Sequence, residues 1–322
     1  MKRRQFITLL GGAAAWPVAP RAQQPAMPVI GYLDPRAPEA TADFLRAFRQ
    51  GLKETGHIDR ENVAIEYYGG DNLPTLAAEL VRRRVAAIVA GSILAAFAAK
   101  AATDAVPIVF FAPEDPVRLG LVASLSRPGG NLTGVNAFVG EVAAKRLELF
   151  RELVPSATRV AVLLNPADAA NAAGNLGNVE TAARAMGLQI EVFNAGTRRE
   201  IDAVFGSFAR DRADALFVSS GAFFNARRLQ LTHWATYHKL PATYSSRQFA
   251  EAGGLMSYGT NVVDAYRQMG VYAGRILRGA KPTDLPVLQA TKFELVINQQ
   301  AARMLGLEIP ATLLARADEV IE

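Results

Sequence analysis

The sequence predicts an α/β protein built as two Rossmann-like lobes, each around a parallel sheet. Three observations carry that prediction. Short buried-strand runs alternate with helical patterns from Val29 onward, the pattern of parallel sheets covered on both faces. The second half of the chain also repeats the first. Val29–Pro35 lies over Val160–Pro166, Ile65–Tyr68 over Ile190–Phe193, Ala87–Ser92 over Ala215–Ser220, and Pro107–Phe110 over Pro241–Tyr244, at offsets of 131, 125, 128 and 134 residues. One such match is weak, because buried strands look alike; four in order at a near-constant offset favour two similarly built lobes. Finally, Arg127-Pro128-Gly129-Gly130-Asn131-Leu132-Thr133-Gly134-Val135 interrupts the alternation. Pro128 fixes its own φ and the two glycines permit φ > 0, so the chain bends there, forms a strand over Asn131–Asn136 and enters a long helix. We read this segment as the passage from one lobe to the other, with the working site in the cleft between them.

The elements follow in order. Val29–Leu33 is a buried strand ended by Asp34-Pro35. Ala40–Gly56 carries Phe44, Leu45, Phe48 and Leu52 at helical spacing. Val63–Tyr68 is a strand, Leu73–Arg84 a helix, Ala86–Ala90 a strand, Ile93–Ala102 a helix and Ile108–Phe111 a strand. Beyond Asn136 come a helix over Val139–Leu153, with Lys145 and Arg146 expected on its exposed side, and a strand over Arg159–Leu164. A helix over Val179–Met186, a strand over Gln189–Phe193, a helix over Ile201–Phe208 and a strand over Ala215–Val218 follow. The remainder reads as a helix over Ala226–Tyr237, strands over Ala242–Tyr244 and Leu255–Tyr258, a helix over Val263–Leu277, a strand over Phe293–Ile297 and a closing helix over Gln299–Leu305.

Composition narrows the function. The chain has 322 residues, half of them hydrophobic, enough for one large or two ordinary domains. Its formal charge of +5 is concentrated in Lys2, Arg3, Arg4 and Arg21; without them 31 basic residues face 30 acidic ones. A near-neutral body gives no footprint for nucleic acid. Arg82-Arg83-Arg84, the densest basic run, ends a helix, where cations favour the dipole. Cysteine is absent, which excludes disulfides, thiolate metal sites and cysteine nucleophiles. His57, His233 and His238 show no ligand spacing that marks a metal site, and no cofactor motif occurs: no Walker loop, no G-x-G-x-x-G. Nor is there a G-x-S-x-G elbow or an H-E-x-x-H motif.

Residues 1–22 have the three parts of an export signal: Lys2-Arg3-Arg4, an apolar run from Phe6 to Val18, and small residues up to Ala22. The paired arginines point to the twin-arginine route, and the run is shorter than the roughly 20 residues of a spanning helix. The mature protein is expected in the periplasm, starting near Gln23.

In open α/β sheets, ligands bind beyond the carboxyl ends of the strands. Those ends offer Asp34, Gly91 and Ser92, Glu114 beside Asp115, Asn165, Ser219 and Ser220 beside Gly221, and Tyr244. Asn136 and Tyr258 flank the proposed lobe passages, and Tyr32, Phe138, Phe223, Tyr244 and Tyr258 are candidate aromatic walls. Helix capping competes with ligand contact for each serine, and core packing competes for each aromatic. No arginine is recognised at a strand end, so a ligand carboxylate would fall to hydroxyls and to free N–H groups at helix starts. Glu114 and Asp115 are adjacent, which makes a poor acid/base pair.

Several segments together resemble the ABC-transporter substrate-binding proteins related to the tryptophan/tyrosine uptake group. These are Asp115-Pro116 with Gly120-Leu121-Val122, Ser124-Leu125, Arg127 to Gly134, Lys145 to Leu149, Glu251 to Gly259, Ile276 to Pro282, Phe293 to Asn298 and Arg316 to Glu322. The resemblance implies a type I periplasmic binding protein fold, crossed three times near Asn136, Thr260 and Pro286 in a multi-strand hinge. Lobe 1 would then comprise residues 28–135 with roughly 261–286, and lobe 2 residues 136–260 with roughly 287–322. It implies a monomer that is not an enzyme and that delivers a small solute, such as an amino acid or an aromatic or other organic acid, to a permease in the inner membrane. One departure is Ser219-Ser220-Gly221, where many relatives carry an acidic residue and proline, so an aromatic amino acid does not follow automatically as ligand. A sensor presenting the same cleft to a receptor and an exported α/β enzyme are the alternatives.

Overall fold

The computed structural model describes residues 27–137, 141–211 and 213–322. The expected export signal and Phe138 lie outside the described residues. Strands and helices alternate: β1 (Val29–Asp34), α1 (Ala42–Glu54), β2 (Ala64–Gly69), α2 (Leu73–Arg82), β3 (Ala87–Ala90), α3 (Ile93–Ala102), β4 (Ile108–Ala112) and β5 (Leu132–Asn136). After these come α4 (Glu141–Leu153), β6 (Arg159–Leu164), α5 (Ala169–Ala185), β7 (Gln189–Asn194), α6 (Arg198–Asp211), β8 (Ala215–Val218), α7 (Ala222–Ala226), α8 (Arg228–Tyr237) and β9 (Ala242–Tyr244). The chain closes with α9 (Arg247–Glu251), β10 (Met256–Thr260), α10 (Val262–Leu277), β11 (Leu288–Gln289), β12 (Phe293–Asn298), α11 (Gln299–Met304), α12 (Ala311–Leu314) and β13 (Glu319–Ile321). Among the described residues, no helix is long and apolar enough to cross a membrane.

Two separate sheets form. The first has six strands in the order β11-β5-β4-β3-β1-β2, all parallel. The second has seven, in the order β13-β12-β10-β9-β8-β6-β7, with β10–β12 its antiparallel pair. The central strands explain themselves: Ala87–Ala90, Ile108–Ala112 and Ala215–Val218 are buried at every residue, as strands covered on both faces must be. Each sheet has a hydrophobic cluster on either side.

The turn at Pro128 forms as expected, with Gly129 and Gly130 at φ of 72° and 62°. Several boundaries differ from the sequence reading. Helix α5 begins ten residues before Val179, because Gly174, Gly177 and three asparagines hide its helical period among alanines. The helix expected over Ala226–Tyr237 is α8, which starts two residues later, and the short α7 before Arg227 was not expected. Elements α9, α12, β11 and β13 are too short to show a period of their own.

Helix α10 returns from the second sheet to pack on the first beside α1. The two backbones all but touch: a β-carbon on Gly51 would stand 1.8 Å from the Arg267 carbonyl oxygen, and one on Gly270 would stand 2.1 Å from that of Phe48. Strand β11 pairs with β5 through Leu288↔Val135 and Gln289↔Asn136, so the third crossing, expected near Pro286, comes after Gln289. The three crossings are bonded side by side. Thr260 Oγ1 donates to the Ala137 carbonyl at 3.1 Å, and the Asn261 N–H donates to the Lys292 carbonyl at 2.9 Å.

Candidate functional site

Strand β5 leaves the first sheet at its carboxyl end and β10 leaves the second at its carboxyl end, and both run straight into this bonded hinge. The carboxyl ends of both sheets therefore face the hinge, where a gap between the lobes would lie. Asn136, the last residue of β5, is buried there, and its carbonyl accepts from the Ala290 N–H.

The first-sheet side is organised by Asp34. This carboxylate is fully buried and takes a two-pronged bond from Arg36: Nε to Oδ1 at 2.8 Å and Nη2 to Oδ2 at 2.7 Å. The Arg36 backbone N–H adds a third bond to Oδ1. Arg36 Nη2 also donates to the Gly91 carbonyl at 3.1 Å and to the Tyr266 hydroxyl at 3.0 Å, while Tyr266 itself donates to Gly91. Burial works against the guanidinium charge, but the bonds and charge of Asp34 more than offset it, so the Arg36 pKa lies above the ordinary arginine value. Only glycine fits at position 91, since a β-carbon would lie 2.2 Å from Asp34 Oδ2. Phe44 stacks on Tyr266 at 4.6 Å, with Arg36 over the Phe44 ring. The Arg36 side chain keeps 38% of its surface exposed.

This geometry revises two sequence readings. Asp34 is buried with both oxygens bonded to Arg36, and the Gly91 carbonyl already accepts from Arg36 and Tyr266, so neither is open to a solute in this structure. An arginine does sit at a strand end: Arg36 follows β1 by two residues and folds back over it.

Ser92 caps α3, with Oγ accepting from the Ala95 N–H at 3.2 Å, which leaves its hydroxyl hydrogen to donate elsewhere. Glu114 is half-buried after β4; the adjacent Asp115 accepts from the Val117 N–H at 2.9 Å, holding the turn. Asn165 accepts from the Ala167 N–H in the same manner after β6.

On the second-sheet side, Ser219 is buried at the end of β8, with its N–H bonded to the Leu163 carbonyl; Ser220, the next residue, is exposed. Phe223 is half-buried against Phe224 and under Arg227. Tyr258 is half-buried, 6.1 Å from Phe293; burial raises its pKa, with nearby Lys145 opposing. Tyr244 does not line the gap. It is fully buried in the second-sheet core, stacked on Phe249 at 4.4 Å, because the strand's alternation turns it toward α9.

Arg146 is also corrected. It is 2% exposed, not on the solvent side of α4, and its guanidinium lies 3.9 Å over the Phe217 ring. Arg36, Tyr266 and Arg146 are thus the polar groups that sequence reasoning missed. The signal for Arg146 was present: it shares the buried stripe of Ala143, Leu147, Phe150 and Leu153, at helical spacing.

Residues 39–321 match the family described as ABC transporter substrate binding protein. The chain is 27% identical over 271 residues to the tyrosine-binding protein of Clostridioides difficile (strain R20291), covering 82% of this chain and 76% of that one. Its fold is similar to the ABC domain in complex with L-Trp from Streptococcus pneumoniae, with a TM-score of 0.78 and 27% identity over 91% of this chain and 99% of that one. An ABC transporter periplasmic solute-binding protein from Actinobacillus succinogenes, with bound D-allose, shares the fold at a TM-score of 0.56 and 14% identity, covering 86% and 99% of the two chains. The architecture is that of type I periplasmic binding proteins.

Proposed function

Because this chain belongs to the ABC transporter substrate-binding protein family, we propose that it is the solute-capturing component of an ABC importer. It takes a small organic solute, an amino acid or an aromatic or other organic acid, into the gap between its lobes and presents it to a permease in the inner membrane. The observation that carries this reading is the delivery of both sheets' carboxyl ends to one bonded hinge. Closure about that hinge is a population shift, driven by contacts the solute makes only when the lobes meet. Lobe 1 comprises residues 28–135 with 261–289, extended to include the strand that pairs with β5, and lobe 2 the rest of the mature chain.

Two of the similar proteins are named for tyrosine or were solved with L-Trp, so aromatic amino acids head the list of solutes. A thermal-shift screen over amino acids, aromatic acids and short-chain acids tests the reading, since a solute that binds only the folded state raises the melting temperature. Capture predicts a saturable rise for at least one of them; no rise across the whole panel would reject the solute classes proposed.

Ser92, Glu114, Asn136, Asn165, Ser219, Ser220, Phe223 and Tyr258 remain the proposed contacts. Ser219→Ala is expected to weaken binding of the solute found in the screen several-fold, because a lost hydrogen bond typically removes about 0.5–1.5 kcal/mol. Calorimetry checks this, and wild-type affinity in both Ser92→Ala and Ser219→Ala would remove the serines from the site. Export by the twin-arginine route is proposed from Arg3-Arg4. Changing both to lysine is expected to abolish periplasmic accumulation, and an unchanged periplasmic yield would reject that route.

A further inference from the structure

Arg146 carries an unbalanced buried charge beside the carboxyl end of β8. It lies five residues into α4, so it stands about 8 Å along the axis from the helix start. Its Nη2 donates to the carbonyl of Val218, the last residue of β8, at 2.8 Å, while its Nε–H is buried with no acceptor among the described residues. Among the described residues, no carboxylate pairs with it; the adjacent Lys145 takes Glu148 instead. Desolvation alone pushes its pKa down to about 9. Thr243 stands in register with Phe217 across β8 and β9, hence on the same face of the sheet, and among the described residues its hydroxyl is likewise buried without a partner. The arginine of lobe 1 differs, since Asp34 already neutralises Arg36.

A buried cation is strongly disfavoured unless it is paired, and two orphaned polar groups on one face mark where an acceptor belongs. We propose that the acceptor is the carboxylate of the captured solute, seated over Ser219 at the carboxyl end of β8 with Arg146 beneath it. Arg146 is then the residue that makes lobe 2 select an anionic head group, an inference that rests on the solute-capture reading. A bridging water between Arg146 and Thr243 would satisfy the same atoms but confer no preference for an acid over its amide.

The test is calorimetric titration of wild type, Arg146→Met and Arg146→Lys with L-tryptophan, L-tyrosine and their carboxamides. Methionine keeps an unbranched apolar side chain beside Phe217 and removes the charge; lysine keeps a point charge and loses the planar fork. Wild type is expected to bind the acids at least about 30-fold tighter than the amides, as for a desolvated charge pair. Arg146→Met is expected to bring that preference within about threefold of unity, and Arg146→Lys to give an intermediate value. A purely structural role would weaken acid and amide together, leaving the ratio unchanged. An unchanged ratio in Arg146→Met, or no acid preference in wild type, overturns the inference while leaving capture intact. Should Arg146→Met fail to fold, an unchanged ratio in Arg146→Lys overturns it. If wild type binds neither acid nor amide, capture of aromatic amino acids fails and the inference falls with it.

Discussion

Asp34→Ala is expected to destabilise the protein by about 3 kcal/mol, at the low end of the range for breaking a buried ion pair, because Arg36 partly reaches solvent. The carboxylate holds three donors of Arg36, and the guanidinium it orients in turn bonds Gly91 and Tyr266, so one truncation loosens three segments of lobe 1. For a domain of this size the melting temperature should fall by roughly 6–12 °C. Asp34→Asn keeps an acceptor for the Arg36 backbone N–H and should fall less. Calorimetric melting of both variants provides the check, and a wild-type melting temperature in Asp34→Ala would show that the pair contributes nothing.

Gly270→Leu is the other large effect. Even a β-carbon at this position meets the Phe48 carbonyl oxygen at 2.1 Å, and backbone cannot yield as a flexible side chain can. Helices α1 and α10 would have to separate, opening the core of Phe48, Leu52, Met269 and Ala273. Overpacking typically destabilises by about 1–3 kcal/mol, and a clash with backbone puts this variant at the upper end. Because the α1–α10 seam belongs to the first sheet's core and shares no residue with the second's, the variant is expected to leave lobe 2 folded. Hydrogen exchange should therefore show lost protection in α1, α10 and β1 with protection kept in β6 and β8. Uniform loss across both sheets, or none, would contradict independent lobes.

Much of this fold could be read from the residues. Buried strands such as Ala87–Ala90 and Ala215–Val218 are continuous apolar runs, and Pro128-Gly129-Gly130 can only turn. What escaped was short or tertiary in origin. Leu288–Gln289 becomes a strand only because β5 offers an edge at that height. The site was less legible than the fold. Strand ends nominate Ser92, Asn136 and Ser219 by position, but position does not say which way a side chain turns, and Tyr244 turns into the core. Asp34 looked like a ligand group because Arg36, two residues on, was not recognised as its partner. Arg146 was placed in solvent by its charge, although its place on the Ala143–Leu147–Phe150 stripe put it inside; charge and periodicity disagreed, and periodicity was right.

The central claim is that a solute is held between two lobes that close on it. Small-angle scattering of the mature protein, alone and saturated with whichever of L-tryptophan, L-tyrosine or the other screened acids raises its melting temperature, tests that claim most directly. Closure about the bonded hinge predicts a smaller radius of gyration and a shorter maximum dimension in the bound state. An unchanged scattering profile at demonstrated saturation would place the solute outside the interlobe gap and contradict the account.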